Sequence, residues 1–279
     1  MPIYDQSYRP YRGSFSSHAT RWLTIARTGL IQFLKRRPFL VFITLTFIPP
    51  IVCGFIIYFA HRFPEQTLTK IDAEFFRRLM EIQTVWFLLL GIYPGAGLIS
   101  NDLRWNAIQL YLSKPLTKLD YVLGKFATLA TFLVGITLLP GLVLFILELS
   151  FSSDSKFLVA YWWIPLALAG YAASAATAWG LIVLAISSLS KNSRYVGVLL
   201  FTLSLFTSGF AQFMRGVFGR DGVIVISGLD SLKILTYVFF GGVSEYGDHR
   251  VGAVVMLALM SVASALILRS RVRAVEVVT

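Results

Sequence analysis

Residues 39–60 are FLVFITLTFIPPIVCGFIIYFA, a run of 22 residues without a charged side chain. A helix needs about 20 apolar residues to cross the hydrocarbon core of a bilayer. Five further apolar runs follow, and because none alternates as a barrel strand would, we expect helices. The predicted spans are Phe39–Ala60, Thr84–Ser100, Tyr121–Leu147, Tyr161–Leu189, Tyr195–Met214 and Val251–Leu268. The sequence thus predicts an all-α polytopic membrane protein with six transmembrane helices.

The composition favours the same class of protein. Apolar residues make up 56% of the 279 positions and charged residues only 14%, whereas about a quarter of a soluble domain is charged. The single cysteine, Cys53, lies in the first apolar run, so neither a disulfide nor a thiolate metal site is expected. The first run begins only at Phe39, is too long for a signal-peptide core and lacks a small-residue cleavage site, so we expect no cleavable signal peptide.

Lysine and arginine are unevenly divided between the two sides of the predicted spans. With a cytoplasmic N-terminus, the cytoplasmic segments hold 16 of the 25 basic residues but only 4 of the 14 acidic ones. Basic residues near span ends are retained on the cytoplasmic side. We therefore expect a multi-pass protein of a bacterial cytoplasmic (inner) membrane with both termini in the cytoplasm. This topology accounts for the net charge of +11 without a nucleic-acid partner.

The residues before the first span predict a helix on the membrane surface. Residues 17–35 place apolar side chains on about half of the helix circumference and polar ones on the rest. Such a basic amphipathic helix lies flat in the inner headgroup region. A plain topogenic flank is the alternative. If residues 17–35 form the surface helix, residues 1–38 are a cytoplasmic tail and interfacial helix, and residues 39–279 are the transmembrane domain. The membrane-surface residues would be Trp22, Arg27, Phe33, Lys35, Arg36 and Arg37.

Two further patterns concern the spans. Residues Val223–Gly242 are apolar but contain Asp230 and Lys233, so we interpret them as an outer re-entrant segment between the fifth and sixth spans. In the fourth span, small residues recur every four positions, which lets helices approach closely. This stripe serves either packing within the chain or a seam between two copies, and it consists of Gly170, Ser174 and Ala178.

Several activities are disfavoured by what the spans lack. Lys125 is the one charged residue within the predicted spans, at the cytoplasmic end of the third, where its amine is expected to reach the headgroups. An ion-driven secondary carrier needs a charged or polar ligand at membrane depth, so this class is disfavoured. No P-loop is present either, because Gly124-Lys125 is followed by Phe126. The chain is not expected to be an enzyme, and energy for transport would come from another chain.

The segment Asn101–Lys125, between the second and third spans, is too apolar for an ordinary cytoplasmic loop. Asn101 is a plausible N-cap, and Asp102 suits the positive end of a helix dipole. Pro115 would stop this first helix, and Thr117-Lys118-Leu119-Asp120 has the form of a capping box that starts a second one. Two helices joined rigidly at a proline, which we call the elbow, would pass a displacement of the first helix on to the second and so to the third span. A membrane-hugging loop with buried aromatic residues is the alternative.

The stretch ISNDLRWNAIQLYLSKPLTKLDYVLGK, residues 99–125, resembles the intracellular signature of type-2 ATP-binding-cassette (ABC) exporter permeases. The usual Gly-Thr pair is replaced by Asn106-Ala107, and Lys118 stands where the family has arginine. The six-span layout, the N-terminal helix and the outer re-entrant segment resemble the family over most of the chain. The matching residues are Asp102, Arg104, Leu110, Leu112, Ser113, Pro115, Leu116, Thr117, Tyr121, Gly124 and Lys125.

The resemblance implies a permease subunit that pairs with a second permease copy and binds separate ABC ATPase subunits from the cytoplasm. ATP and Mg²⁺ would be bound by those subunits, and this chain would need no cofactor. A lipid-like or amphipathic substrate suits a path without buried charge. A non-catalytic membrane scaffold with the same fold is the alternative function. The expected ATPase-coupling residues are Asn101, Asp102, Arg104, Trp105, Ile108, Tyr111, Lys114 and Pro115.

Overall fold

The structure is a computed structural model that describes residues 20–63, 70–112, 116–152, 156–219, 221–242 and 249–272. All regular secondary structure in these ranges is helical. Within them, six helical segments are long and apolar enough to cross a membrane. The prediction of an all-α chain with six such helices is therefore confirmed.

The spans lie where the sequence predicts them, but most extend further at their ends. They are Arg37–Arg62, Ala73–Arg104, Lys118–Phe151, Phe157–Ser187, Ser193–Phe218 and Arg250–Arg271. The second span begins at Ala73 rather than Thr84, because the Asp72 carboxylate accepts a hydrogen bond from the backbone N–H of Phe75 at 3.1 Å and caps the helix there.

Side-chain pairs show how the spans run relative to one another. The second and third spans are antiparallel, since Gln83 bonds to Ile136 near their middle and Asp102 pairs with Lys125 at their ends. The second and fourth spans are parallel, because Thr84 contacts Tyr171 and Ser100 contacts Ser187. The ends at Arg104, Lys118 and Ser187 therefore share one side of the molecule, which we call the Arg104 face, and the opposite side is the Arg62 face.

The second, third and fourth spans form the centre of the molecule. In their most apolar windows 61, 50 and 56% of residues are buried, against 22 to 28% in the other three spans. The second span is not a continuous α-helix. It passes from Ala73–Leu90 through a π-helical turn at Gly91–Gly95, which contains Pro94, to Gly97–Arg104. The first span is likewise interrupted between Arg37–Leu45 and Ile48–Arg62.

The N-terminal helix Arg21–Leu34 packs against the third span. Two glycines allow this close approach, because a β-carbon at Gly124 would lie 2.6 Å from the β-carbon of Ile25, and one at Gly29 would lie 2.6 Å from Thr128 Oγ1. Of the predicted membrane-surface residues, Trp22 and Phe33 are half-buried in this contact, whereas the charged side chains are exposed at Arg27, Lys35, Arg36 and Arg37. Much of the apolar face predicted for lipid thus contacts protein.

Residues 221–242 form a 3₁₀ helix, Asp221–Ile226, and an α-helix, Gly228–Phe240. Ser227 caps the α-helix by accepting a hydrogen bond from the backbone N–H of Asp230 at 3.3 Å. Its first residue, Gly228, lies beside Trp179 of the fourth span and Met260 of the sixth, and its end at Phe240 contacts Trp163 near the Arg62 face.

The small-residue stripe of the fourth span faces other elements of the same chain. A β-carbon at Gly170 would lie 2.5 Å from the ring of Phe239, and Gly170, Ser174 and Ala178 line a groove of about 480 Å³ shared with Leu257 of the sixth span. These contacts favour packing within the chain over a seam between copies.

Candidate functional site

The segment between the second and third spans is fixed to the membrane helices by an ion pair. Lys125 Nζ lies 2.7 Å from Asp102 Oδ2, and the Tyr121 hydroxyl donates to the same oxygen at 2.8 Å. The two charged side chains are only 14 and 18% exposed, and Tyr121 is fully buried. A charge-assisted, partly buried pair of this kind holds the end of the second span firmly against the start of the third.

Aromatic rings enclose the amine of this ion pair. Lys125 Nζ lies 5.8 Å from the ring centre of Tyr111 and 5.7 Å from that of Tyr121, and the two rings are 5.3 Å apart. Cation–π attraction therefore adds to the pairing with Asp102. Burial, together with the negative charge of Asp102, raises the pKa of the Tyr111 hydroxyl, so this side chain stays neutral at physiological pH. Ile108 on the same short helix is also buried.

A sharp turn after the second span exposes an arginine and a tryptophan. Asn106 has a φ of 53°, in the left-handed region that asparagine tolerates better than most residues. This turn separates the second span from the short helix Ala107–Leu112. Trp105 is 73% exposed, and the Arg104 guanidinium lies 5.3 Å from its ring centre. An exposed cation–aromatic pair on a fixed turn is suited to binding another protein.

The second helix of the elbow begins as the sequence predicts. The Thr117 hydroxyl accepts from the backbone N–H of Asp120 at 3.1 Å, and the Asp120 carboxylate accepts from the backbone N–H of Thr117 at 2.9 Å. The capping box is therefore confirmed. The predicted break at Ser113-Lys114-Pro115 lies outside the described residues.

The predicted roles of Asn101 and Asp102 at a helix start are wrong. Both residues lie inside the helix Gly97–Arg104, and the Asn101 carbonyl accepts from the backbone N–H of Trp105 at 3.0 Å. The second span restarts after its π-helical turn and so carries the helix past the predicted N-cap. Asp102 contributes through its ion pair rather than through a helix dipole.

The fourth span is hydrogen-bonded to the second through Ser187, a contact that the sequence did not predict and that we call the Ser187 clamp. The Ser187 hydroxyl accepts from the backbone N–H groups of Ile99 and Ser100 at 3.2 and 3.1 Å and donates to the Ala96 carbonyl at 2.8 Å. It thus caps the helix that restarts after the π-helical turn.

Trp179 and Val183 extend this clamp along the same face of the fourth span. Trp179 Nε1 donates to the Phe87 carbonyl at 2.7 Å, and Val183 fills the space left by two glycines of the second span, Gly91 and Gly95. The spacing of four between Trp179, Val183 and Ser187 was visible in the sequence, but their partners were not.

Three charged residues that lie outside the predicted spans are buried in the structure, namely Arg77, Glu148 and Asp230. Arg77 pairs with Glu74 and Glu81 and lies 4.1 Å from the ring centre of Tyr237. Glu148 Oε1 lies 3.0 Å from Nε2 of the histidine His61. Asp230 accepts hydrogen bonds from two further side chains, those of Ser208 and Lys233. Each buried group has a polar or oppositely charged partner, which is the arrangement expected of structural ion pairs.

The site is thus a short exposed element, containing Arg104 and Trp105, that the Asp102–Lys125 ion pair connects to two membrane helices. No protein-family model matches the chain, and a search of curated proteins finds no match.

Proposed function

We propose that this chain is the transmembrane permease subunit of an ABC exporter, driven by separate ATPase subunits that dock on residues 101–125. The observation that supports this most is the exposed Arg104–Trp105 pair, held on a turn that the Asp102–Lys125 ion pair ties to two spans. A docking element must be accessible and also rigidly connected to what it moves. A loose loop would absorb the displacement instead of passing it on.

In this proposal the Arg104 face is cytoplasmic, in a bacterial inner membrane. The excess of lysine and arginine in the segments of that side supports this orientation, which would place both termini in the cytoplasm. The N-terminal helix would lie against the third span with its exposed apolar side chains, Leu23, Ile31 and Leu34, in the headgroup region. Residues 223–242 would enter the outer leaflet and return, with the backbone covered by the fourth and sixth spans.

The transport step would take place between two permease copies. Apolar side chains cover the fifth span, where Phe206, Phe210 and Phe213 are exposed. A second copy and a lipid-like or amphipathic substrate would suit such a surface, because exposed apolar side chains in a membrane are covered by lipid or by protein. ATP and Mg²⁺ would be held by the partner ATPases, whose closure would push the Arg104–Trp105 turn and tilt the second and third spans.

The test is purification of the tagged protein from its native membrane in mild detergent, followed by mass spectrometry and an ATP hydrolysis assay. We expect a stoichiometric ATPase and measurable hydrolysis. The double variant Arg104→Ala/Trp105→Ala should lose the ATPase, at least tenfold, with an unchanged thermal unfolding temperature.

A matched control changes the same residue types on the opposite face, at Arg62 and Trp162, both exposed. Arg62→Ala/Trp162→Ala should retain the ATPase. Equal ATPase content in the parent protein and in both double variants would contradict the assignment of the docking site. A stable complex without any ATPase would instead favour the membrane scaffold.

A further inference from the structure

Prolines remove helical hydrogen bonds from the first and third spans, at Pro49 and Pro50 in the first and at Pro140 in the third. The carbonyl of residue i in an α-helix accepts from the N–H of residue i+4, and proline has no N–H. Pro50 therefore leaves the Thr46 carbonyl without its helical donor, and Pro140 does the same to the Ile136 carbonyl. Because the hydrocarbon core offers no water, each carbonyl needs a donor from another part of the protein.

A single side chain of the second span donates to both carbonyls. Gln83 Nε2 lies 3.3 Å from the Thr46 oxygen and 3.1 Å from the Ile136 oxygen, and the side chain is fully buried. Since both partners are acceptors, the NH₂ group of the amide faces them. Gln83 thus uses its two donor hydrogens on the two carbonyls released by Pro50 and Pro140.

We propose that Gln83 is a positioning residue that links the proline sites of the first and third spans to the second span, so that the three spans change angle together. The inference rests on the proposed function, in which the segment Asn101–Lys125 displaces the second span. A helix bends most readily at a proline. If Gln83 moved without its partners, two carbonyls would be left without a donor in the hydrocarbon core, so the first and third spans follow it.

The stability of one variant alone does not test this link. Gln83 Oε1 is buried and has no partner within the part of the chain that the structure describes. Replacing Gln83 by methionine therefore removes two favourable bonds but also removes a buried oxygen that is left unsatisfied. The role of Gln83 is isolated by asking whether the effect of Gln83→Met on stability depends on the presence of Pro50 and Pro140.

The first experiment is a double-mutant cycle. Pro50→Ala and Pro140→Ala restore the N–H groups, so Thr46 and Ile136 no longer need Gln83. We expect Gln83→Met to lower the thermal unfolding temperature of the parent, and to lower that of the Pro50→Ala/Pro140→Ala background by less than half as much. Equal effects in both backgrounds would overturn the proposal.

Thr84→Val serves as the control in this cycle. The Thr84 hydroxyl lies next to Gln83 on the second span but bonds to the Met80 carbonyl of its own helix and to Tyr171 of the fourth span. Its effect should be the same with and without the prolines.

The second experiment measures movement, which a purely structural role would leave unchanged. Spin labels at Phe55 and Val143, both exposed and both on the C-terminal side of the prolines, report the separation of the first and third spans in a Cys53→Ala background. We expect ATP to shift this distance in the complex with the ATPase. Gln83→Met should bind the ATPase normally, broaden the distance distribution and abolish the shift.

An unchanged shift in Gln83→Met would overturn the proposal. Failure of the proposed function gives a different result. In that case the parent shows no ATP-dependent shift, while a non-additive cycle and a broadened distance distribution in Gln83→Met still support the link among the three spans.

Discussion

At the scale of single residues, the pair Asp102–Lys125 carries most of the connection between the candidate docking element and the membrane. Lys125 is predicted from the sequence to extend its amine toward the headgroups. It is instead mostly buried, because Asp102, Tyr111 and Tyr121 surround it on the protein side. The Tyr121 hydroxyl shares the Asp102 oxygen, so removal of the carboxylate breaks two interactions at once.

We expect Asp102→Ala to lower the free energy of unfolding by about 1.5–3 kcal/mol, the range for a hydrogen bond to a charged group. Lys125→Met should cost less, since Tyr121 keeps its acceptor. Thermal unfolding in detergent measures both. The double variant should lose clearly less than the sum of the single losses, and strict additivity would show that the two charges do not interact.

Asn106 is one of the positions at which the chain differs from the signature that it resembles. The signature that this segment resembles has glycine at this position, and Asn106 adopts a φ of 53° that glycine reaches without strain. Asparagine thus takes a backbone conformation that glycine would also allow here.

We expect Asn106→Gly to leave the docking element intact. Asn106→Val should destabilise it by about 1–2 kcal/mol, since a β-branched residue fits the left-handed region poorly. Protease sensitivity of the segment after Trp105 provides the measurement. Equal sensitivity of the two variants would indicate that the turn is not a constraint.

At the scale of helices, interactions within one turn were predictable and interactions between spans were not. The Thr117–Asp120 capping box follows from two residues three positions apart. The Asn101 N-cap was wrong because the second span continues through its π-helical turn, which no local pattern indicated. The bonds of Ser187 and Gln83 join segments more than 35 residues apart and depend on how the spans pack.

The Ser187 clamp should matter for the end of the second span. Ser187→Ala leaves two backbone N–H groups and one carbonyl without this partner, and we expect a loss of about 1–3 kcal/mol. Ser188→Ala is the matched control, because the Ser188 hydroxyl bonds only to the Ala185 carbonyl of its own helix. Hydrogen exchange of residues 97–104 should rise in the first variant only. If both serines behave alike, the clamp has no special role.

At the scale of the whole molecule, the number of spans was predictable from hydropathy, but the buried charges were not. Arg77, Glu148 and Asp230 lie outside the predicted spans, but all three are buried in the structure. Their presence removes the simplest reason for disfavouring an ion-driven carrier. Their pairing with neighbouring side chains supports a structural role instead, because an ion-coupling site must release its partner during transport.

The orientation of the chain determines whether an ATPase reaches the Arg104–Trp105 turn, and it is testable with single cysteines. Leu119 on the Arg104 face and Val159 on the Arg62 face are 72 and 75% exposed, so the two positions are matched in accessibility. Each is replaced by cysteine in a Cys53→Ala background. We expect a membrane-impermeant maleimide added to intact cells to label position 159 and to label position 119 only after lysis. This outcome follows from the excess of lysine and arginine on the Arg104 face. Labelling of position 119 in intact cells would put the candidate docking element outside the cell, where no ATP-driven partner could act on it.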